Sequence, residues 1–243
     1  MRRLLPQPSE TVDLYEAYAC PMGDDSFVRL NMISSIDGAI TVGGKSGALG
    51  GPPDHKVFMT LRSWADVIFV GAGTVRAEQY GPARLDADVQ QRRRERGQLP
   101  LPPIAVVTGS ANFDFDAPFF RDTTVKPLLV TSGSRAPGIA AQASDAADVI
   151  AAGTDAVDLR DAIAQLRARG LRCVLAEGGP GLNSELARDD LLDELCLTLS
   201  PRLVGGDGPR IIAGDQFMPP IEPALVHLLE EDRFLFMRLA LRT

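Results

Sequence analysis

Three clusters of polar and glycine residues hold most of the chemistry open to this chain. The first is Glu177-Gly178-Gly179-Pro180-Gly181-Leu182-Asn183, which follows the apolar run Val174-Leu175-Ala176. It reads as a buried strand, a glycine turn and a helix start. Gly178 and Gly179 permit backbone angles and close approaches that a side chain would obstruct. Pro180 suits a first helical turn, where its missing N–H costs nothing. The free N–H groups of such a turn point toward a phosphate or diphosphate. The same residues also suit a tight turn in an α/β domain that binds nothing. Glu177 either faces the positive end of the helix or orients a substrate or a water. The second cluster, Gly71-Ala72-Gly73-Thr74-Val75-Arg76, follows another apolar run. Arg76 stands where a GxGxxG fingerprint needs its third glycine, so the match to a dinucleotide motif is weak. Thr74 is placed to cap a helix and to offer its hydroxyl to a phosphate oxygen. The third cluster runs from Asn31 to Asp37 and ends in Ser34-Ser35-Ile36-Asp37-Gly38. Asp37 reads either as an Asx-type turn residue or as a carboxylate that accepts from the N–H groups of a heterocycle.

Other chemistries find little support. The two histidines, His55 and His227, lie far apart, and no Cys/His cluster has metal-ligand spacing. No GxSxG elbow is present, so hydrolase chemistry is disfavoured. Hydride transfer assisted by a bound cofactor fits the clusters better. A net charge of -7 argues against nonspecific nucleic-acid binding. The basic run Arg92 to Arg96 has no aromatic interleaving and reads as a solvated face. Cys20, Cys173 and Cys196 do not suggest a disulfide scaffold, and Cys173 and Cys196 read as small buried hydrophobes. No apolar stretch reaches the roughly 18 residues of a membrane span, and the N-terminus has no signal-like apolar region. The expected compartment is the cytosol, with no membrane partner.

The elements that must position these clusters follow from hydrophobic periodicity. Residues 1–26 read as an arm with a short helix near Thr11 to Ala19, and 27–243 as a single domain. Strands are expected at Phe27 to Ile33, Asp66 to Val70, Pro103 to Thr108, Val125 to Thr131, Ala147 to Ile150, Arg172 to Ala176 and Leu195 to Leu199. A further short extended piece is expected over Ala39 to Thr41. Helices are expected near 54–64, from Gly71 to Glu78, near Asp88 to Arg96, from Asp158 to Arg169 and near 181–188. Ala224 to Leu229 and Phe234 to Leu241 form a terminal antiparallel pair. Repeated strand–helix alternation predicts an α/β fold with a mostly parallel sheet covered on both faces. The three clusters would gather near the C-terminal side of that sheet, where open α/β folds bind ligands.

Four segments together carry a family likeness: MISSIDG at 32–38, VGAGTVRAE at 70–78, EGGPGLNSEL at 177–186 and DELCLTLSPRLVGG at 193–206. In order and spacing, over about 28–241, the chain resembles the pyrimidine reductase domain of riboflavin biosynthesis, within the dihydrofolate-reductase-like superfamily. No zinc-deaminase signature accompanies it, so it resembles a stand-alone reductase. The resemblance implies a three-layer α/β/α fold with a mixed, mostly parallel sheet. It implies NADPH-dependent hydride transfer to the ribose C1′ of 5-amino-6-(5-phosphoribosylamino)uracil or a close analogue. It places Gly71, Gly73 and Thr74 at cofactor phosphate or ribose. Glu177, Gly178, Gly179, Leu182 and Asn183 would form the other wall of the nucleotide site. Ala39 and Ile40 would lie by the nicotinamide, and Asp37 at the substrate or the nicotinamide end. Thr108 and Ser132 would approach the adenosine half. Arg135, with Ser132 and Ser134, would read the 2′-phosphate of NADP, with Arg76 as a competitor. A homodimer is also implied.

Two departures bear on the substrate. Asn31 stands where family members often have lysine beside the reaction, and an amide cannot supply a cationic proton donor. After Thr74 the sequence reads AEQYGPARL, where relatives commonly read ADDPxL. The reacting set expected is therefore Asp37, Asn31 and Glu177. Two other readings stay open: a reductase of the same fold acting on dihydrofolate or another pterin-like ring, and an NADP-binding protein without turnover.

Overall fold

Short apolar runs of the sequence form strands, and apolar residues spaced by three and four form helices. The protein is described by a computed structural model that covers all residues except Met22, Asp24 and Thr243. In the first half of the chain the elements are β1 (Arg2–Leu5), α1 (Leu14–Ala17), β2 (Phe27–Ser35), α2 (Pro52–Trp64), β3 (Val67–Gly71), α3 (Ala72–Ala77), α4 (Ala87–Glu95), β4 (Ile104–Val107) and α5 (Pro118–Arg121). There follow β5 (Leu128–Thr131), α6 (Ala136–Ala143), β6 (Asp148–Ala151), α7 (Leu159–Ala168), β7 (Cys173–Ala176), α8 (Pro180–Arg188), β8 (Glu194–Ser200), β9 (Ala224–Glu231) and β10 (Phe234–Ala240). The fold is three-layer α/β/α with a mixed, mostly parallel sheet and a C-terminal antiparallel pair.

Two compact units make up the chain. The first comprises Met1–Cys20, Phe27–Leu61 and Ala176–Thr243. Its strands run in the order β1-β9-β10-β8-β2. β1, β9, β10 and β8 pair antiparallel in that order, and β8 pairs parallel with β2, with Asn31 beside Cys196 and Ile33 beside Thr198. The arm expected at 1–26 thus contributes an edge strand and a short helix, whose Asp13 side chain accepts from the N–H groups of Tyr15 and Glu16. One face of this sheet buries an ionic cluster. Glu194 forms ion pairs with Arg29 and Arg238, each at 2.5 Å, and the same two guanidiniums donate to the carbonyls of Tyr18 and Ala17. These charges are satisfied from both sides, which burial demands. His227, edge-on to Tyr18 at 5.0 Å, lies beside the cluster. Burial and the neighbouring Arg238 push its pKa down to about 4, so it stays neutral at physiological pH.

The second unit comprises Pro21–Ser26 and Arg62–Leu175. Its strand order is β7-β3-β4-β5-β6, with β3 to β6 parallel. β3 and β7 are apolar throughout because both faces are covered. α7 is set by its sequence. Asp158 caps it through the Asp161 N–H, Leu159, Ala162, Ile163 and Leu166 form its buried stripe, and Gly170 leaves it at φ +79°. Burying each large aliphatic of that stripe stabilises the unit by about 2 kcal/mol.

Several expectations are corrected. Residues 39–41 form no strand; only an isolated bridge joins Val42 and Lys45. Gly71, and not Thr74, is the N-cap of α3. Residues 136–143, for which no element was expected, form α6. The Arg92 to Arg96 run is not a purely solvated face, because Arg93 is fully buried. Its guanidinium donates to the carbonyls of Arg62, Ser63, Ala65 and Leu99, closing the carbonyl-rich C-terminal end of α2. Cys173, read as a small hydrophobe, is disulfide-bonded, as is Cys20. Cys196 is the buried free thiol. No helix among the described residues is long and apolar enough to cross a membrane.

Candidate active site

β7 delivers the first cluster. Glu177 is buried directly after it, and Gly178 and Gly179 follow at φ +101° and +99°. These left-handed angles favour glycine strongly. At Gly178 a Cβ would also press on the Met32 sulfur at 3.2 Å. Gly179 is the N-cap of α8, and Pro180 opens the helix. In the first turns, Leu182 and Asn183 are buried. Asn183 donates from Nδ2 to the carbonyl of Ile211 at 2.6 Å and to the Met32 sulfur at 3.4 Å. Those two contacts fix the amide's orientation. Its Oδ1 is buried and finds no donor among the described residues. A buried acceptor of this kind calls for a ligand hydroxyl or amide.

β2 carries the second part. Alternation along the strand puts Met32 and Asn31 on opposite faces. Met32 meets the α8 joint, while Asn31 shares its face with Ile33 and, across the parallel register, with Cys196 and Thr198. The Asn31 amide is half-buried and has no partner among the described residues. Asp54, in the first turn of α2, accepts from the Thr198 hydroxyl, and burial raises its pKa. Nothing local signals Asp54, because its burial depends on β8, far away in the chain.

After β2 the chain turns through Ser35 to Ala39. Ser35 N–H donates to the Ala39 carbonyl at 2.8 Å, and Ala39 N–H donates to Ser35 Oγ at 2.9 Å. Asp37 is exposed, yet its carboxylate is fully engaged. It receives Ser35 Oγ at 2.5 Å, the Val204 N–H at 3.2 Å and the Gly205 N–H at 2.6 Å. These donors, the Ser35 hydroxyl foremost, hold its pKa down to about 2. Asp37 is therefore an anion at neutral pH and not a source of protons. The sequence leaves Asp37 either as a turn residue or as a carboxylate facing a heterocycle; in the structure its oxygens accept from the chain's own Ser35, Val204 and Gly205.

This turn lines a cavity of about 640 Å³, together with residues of the loop after β8. Ser34, Asp37, Gly38 and Ala39 form one side, and Gly205 to Gly208, Arg210 and Ile211 the other. A Cβ on Gly208 would stand 3.8 Å from that of Ala39. The facing loop is tied at both ends. Asp37 holds Val204 and Gly205, while Asn183 holds Ile211 and Ala213 N–H donates to the Pro180 carbonyl at 3.1 Å. Arg210 and Asp207 carry no local motif, so sequence reasoning passed them over.

The second unit carries the remaining expected residues. Gly71 ends β3, and at Gly73, in α3, an added Cβ would meet nothing within 4 Å, so packing does not explain that glycine. Thr74 lies in the same helix. Thr108 is buried, and its Oγ1 accepts from Ala111 N–H at 2.9 Å. Ser132 follows β5 and its hydroxyl meets that of Ser134 at 3.3 Å, beside the unpartnered, buried Thr131 Oγ1. Arg135 is exposed at the start of α6 with no partner among the described residues. Arg76 instead lies over the Phe113 ring at 5.9 Å. No cluster of metal ligands occurs among the described residues.

With this geometry in hand, comparison with known proteins gives a consistent answer. A family model described as "RibD C-terminal domain" matches residues 26–232. A 2,5-diamino-6-ribosylamino-4(3H)-pyrimidinone 5′-phosphate reductase of Aquifex aeolicus is 30% identical over 191 residues, 75% of this chain and 80% of that protein. One of the same name from Archaeoglobus fulgidus is 27% identical over 194 residues, 79% of this chain and 88% of that protein. The crystal structure of a pyrimidine reductase-like protein from Corynebacterium diphtheriae superposes with a TM-score of 0.83 at 27% identity, over 94% of this chain and 98% of that one. A riboflavin biosynthesis reductase of Saccharomyces cerevisiae shares the fold at 19% identity, with a TM-score of 0.67 over 93% and 94% of the two chains.

Proposed function

The chain belongs to the RibD C-terminal domain family and is an oxidoreductase of the pyrimidine reductase type, and on that footing we propose that it reduces a 6-ribosylaminopyrimidine 5′-phosphate with NADPH. The observation that carries the reading is the α8 joint. Two successive left-handed glycines bring the backbone close to whatever lies outside the helix start, and buried Asn183 keeps an acceptor with no donor. That donor set suits a dinucleotide, whose phosphates take N–H groups and whose ribose offers hydroxyls.

Gly178, Gly179, Leu182 and Asn183 hold one part of the cofactor, with Ala39 and Ile40 at its nicotinamide. Gly71, Gly73 and Thr74 hold phosphate or ribose, and Thr108 and Ser132 the adenosine half. Arg135 reads the 2′-phosphate; Arg76 is the second candidate, although its guanidinium already rests on Phe113. NADPH, when bound, supplies the hydride. The acceptor is C1′ of the ring-opened sugar, and the attached nitrogen takes up a proton. Asn31 orients that end by hydrogen bonding, since an amide both donates and accepts. Glu177 is buried at the joint and orients the substrate or a water. The working assembly is a homodimer. Leu203, Met218, Leu225 and Val226 are exposed apolar side chains of the first unit, and sedimentation equilibrium would test whether a second copy covers them.

Steady-state NADPH oxidation tests the assignment. The expected outcome is turnover with 5-amino-6-(5-phosphoribosylamino)uracil or its 2,5-diamino-pyrimidinone analogue, and none with dihydrofolate. Turnover with dihydrofolate alone would reassign the substrate. NADPH binding without turnover of any of the three would mark a binding protein.

A further inference from the structure

The cavity between the Ser34–Ala39 turn and the Gly205–Ile211 loop has two charged groups that no side chain answers. Asp207 and Arg210 both line it, three residues apart, and neither forms an ion pair with the other or with any described residue. Both side chains are exposed, so water satisfies them in the free protein and both stay open to an external ligand. The guanidinium suits phosphate oxygens. The carboxylate, an acceptor only, suits hydroxyl groups. A phosphorylated ribose offers both within the span of one sugar.

The loop that carries this pair has no secondary structure of its own. It is held by three ties already described: Asp37 to the Val204 and Gly205 N–H groups, Asn183 to the Ile211 carbonyl, and Ala213 to the Pro180 carbonyl. Gly205 and Gly206 take φ +70° and +74°, and the successive Val204 and Gly205 N–H groups point to one side, where an anion collects them. In this structure the anion is the Asp37 carboxylate.

We propose that Asp37 is a latch: it fixes the 204–211 strap so that Asp207 and Arg210 together read a phosphorylated ribose in the cavity. The proposal rests on the reductase reading, in which both the dinucleotide and the pyrimidine substrate bring such a group. Asp37 is then a positioning residue, and Arg210 the one that touches the ligand.

Hydrogen exchange on the ligand-free protein tests the latch by itself. Asp37→Ala should speed exchange at the Val204 and Gly205 amides by about tenfold or more, Asp37→Glu should restore part of the protection, and Arg210→Ala should leave it unchanged. Unchanged exchange in Asp37→Ala would overturn the latch. Ribose 5-phosphate, followed by NMR titration, tests the pocket without any assumption about catalysis. The native protein should bind it saturably and Arg210→Ala should lose it, whereas equal shifts in both proteins would overturn the site. NADPH and the phosphoribosylaminopyrimidine are then titrated separately. One of them should weaken by about tenfold in Arg210→Ala, which identifies the source of the sugar phosphate. Asp37→Ala should weaken the same one, and the double variant should bind no worse than Arg210→Ala, because the two act as one unit. Multiplying losses would break the link between latch and reader. If ribose 5-phosphate binds as expected but no NADPH-dependent turnover occurs, the reductase reading fails and this inference stands.

Discussion

At the scale of single residues, the two arginines that compete for the cofactor's 2′-phosphate differ in what they are already doing. Arg76 spends its guanidinium on the Phe113 ring. Arg135 has no partner among the described residues and stands at the start of α6, beside the Ser132 and Ser134 hydroxyls. A charge-assisted contact to phosphate is worth more than one between neutral groups. Arg135→Ala should therefore weaken NADPH binding by about tenfold or more and leave NADH binding nearly unchanged. Fluorescence titration with both cofactors checks this, and equal losses for the two would reject the assignment. Asp37 shows why local reading has a limit. An Asp-Gly turn was evident from adjacent residues, and Ser35 beside it donates to the carboxylate, but the two backbone donors that tie it to the far loop lie 167 and 168 positions away. Nothing in the turn itself signals them.

At the scale of elements, the legible parts were those that carry their own signal. α7 has a cap, an apolar stripe and a terminating glycine within one short segment. β3 and β7 are short apolar runs next to glycine joints, and the α8 joint was legible for the same reason. α6 was hidden because its Ala-Pro-Gly start looks like a turn, and β1 because two charged arginines and a proline mask an edge strand. The arginine run at α4 was the largest misreading. Composition suggested solvent, but the open carbonyls at the end of α2 draw Arg93 inward, and burial lowers its pKa to about 10. Arg93→Ala would take the guanidinium from these carbonyls, of which that of Ser63 keeps Arg96 as a donor. The expected cost is about 3 kcal/mol or more of unfolding free energy, read from urea melts. Arg93→Lys should recover only part of it, since an ammonium cannot reach four carbonyls with the geometry of a planar guanidinium. A loss under about 1 kcal/mol for alanine would show that other donors replace it.

At the scale of the whole molecule, the first unit is assembled from three separated stretches of chain, including the two ends. The N-terminal ammonium pairs with Glu231 at 2.9 Å, and β1 borders β9. The buried Arg29–Glu194–Arg238 group joins β2, β8 and β10 and carries the carbonyls of α1. Most of these contacts link residues remote in sequence, so the separate strands were legible but their order was not; the family likeness implied only the three layers and the mixed sheet.

Cys196 sits in the middle of that buried group, its thiol donating to Glu194 Oε1 at 3.3 Å, and it is the free cysteine. Burial raises its pKa far above the usual thiol range, so almost no thiolate exists in the native state. A thiol-specific reagent should therefore stall on the native protein and react fully in urea, and rapid native labelling would show that the group opens locally. The chain thereby carries a built-in clock: the pace at which this one sulfur is captured reports how often the centre of the first unit comes apart.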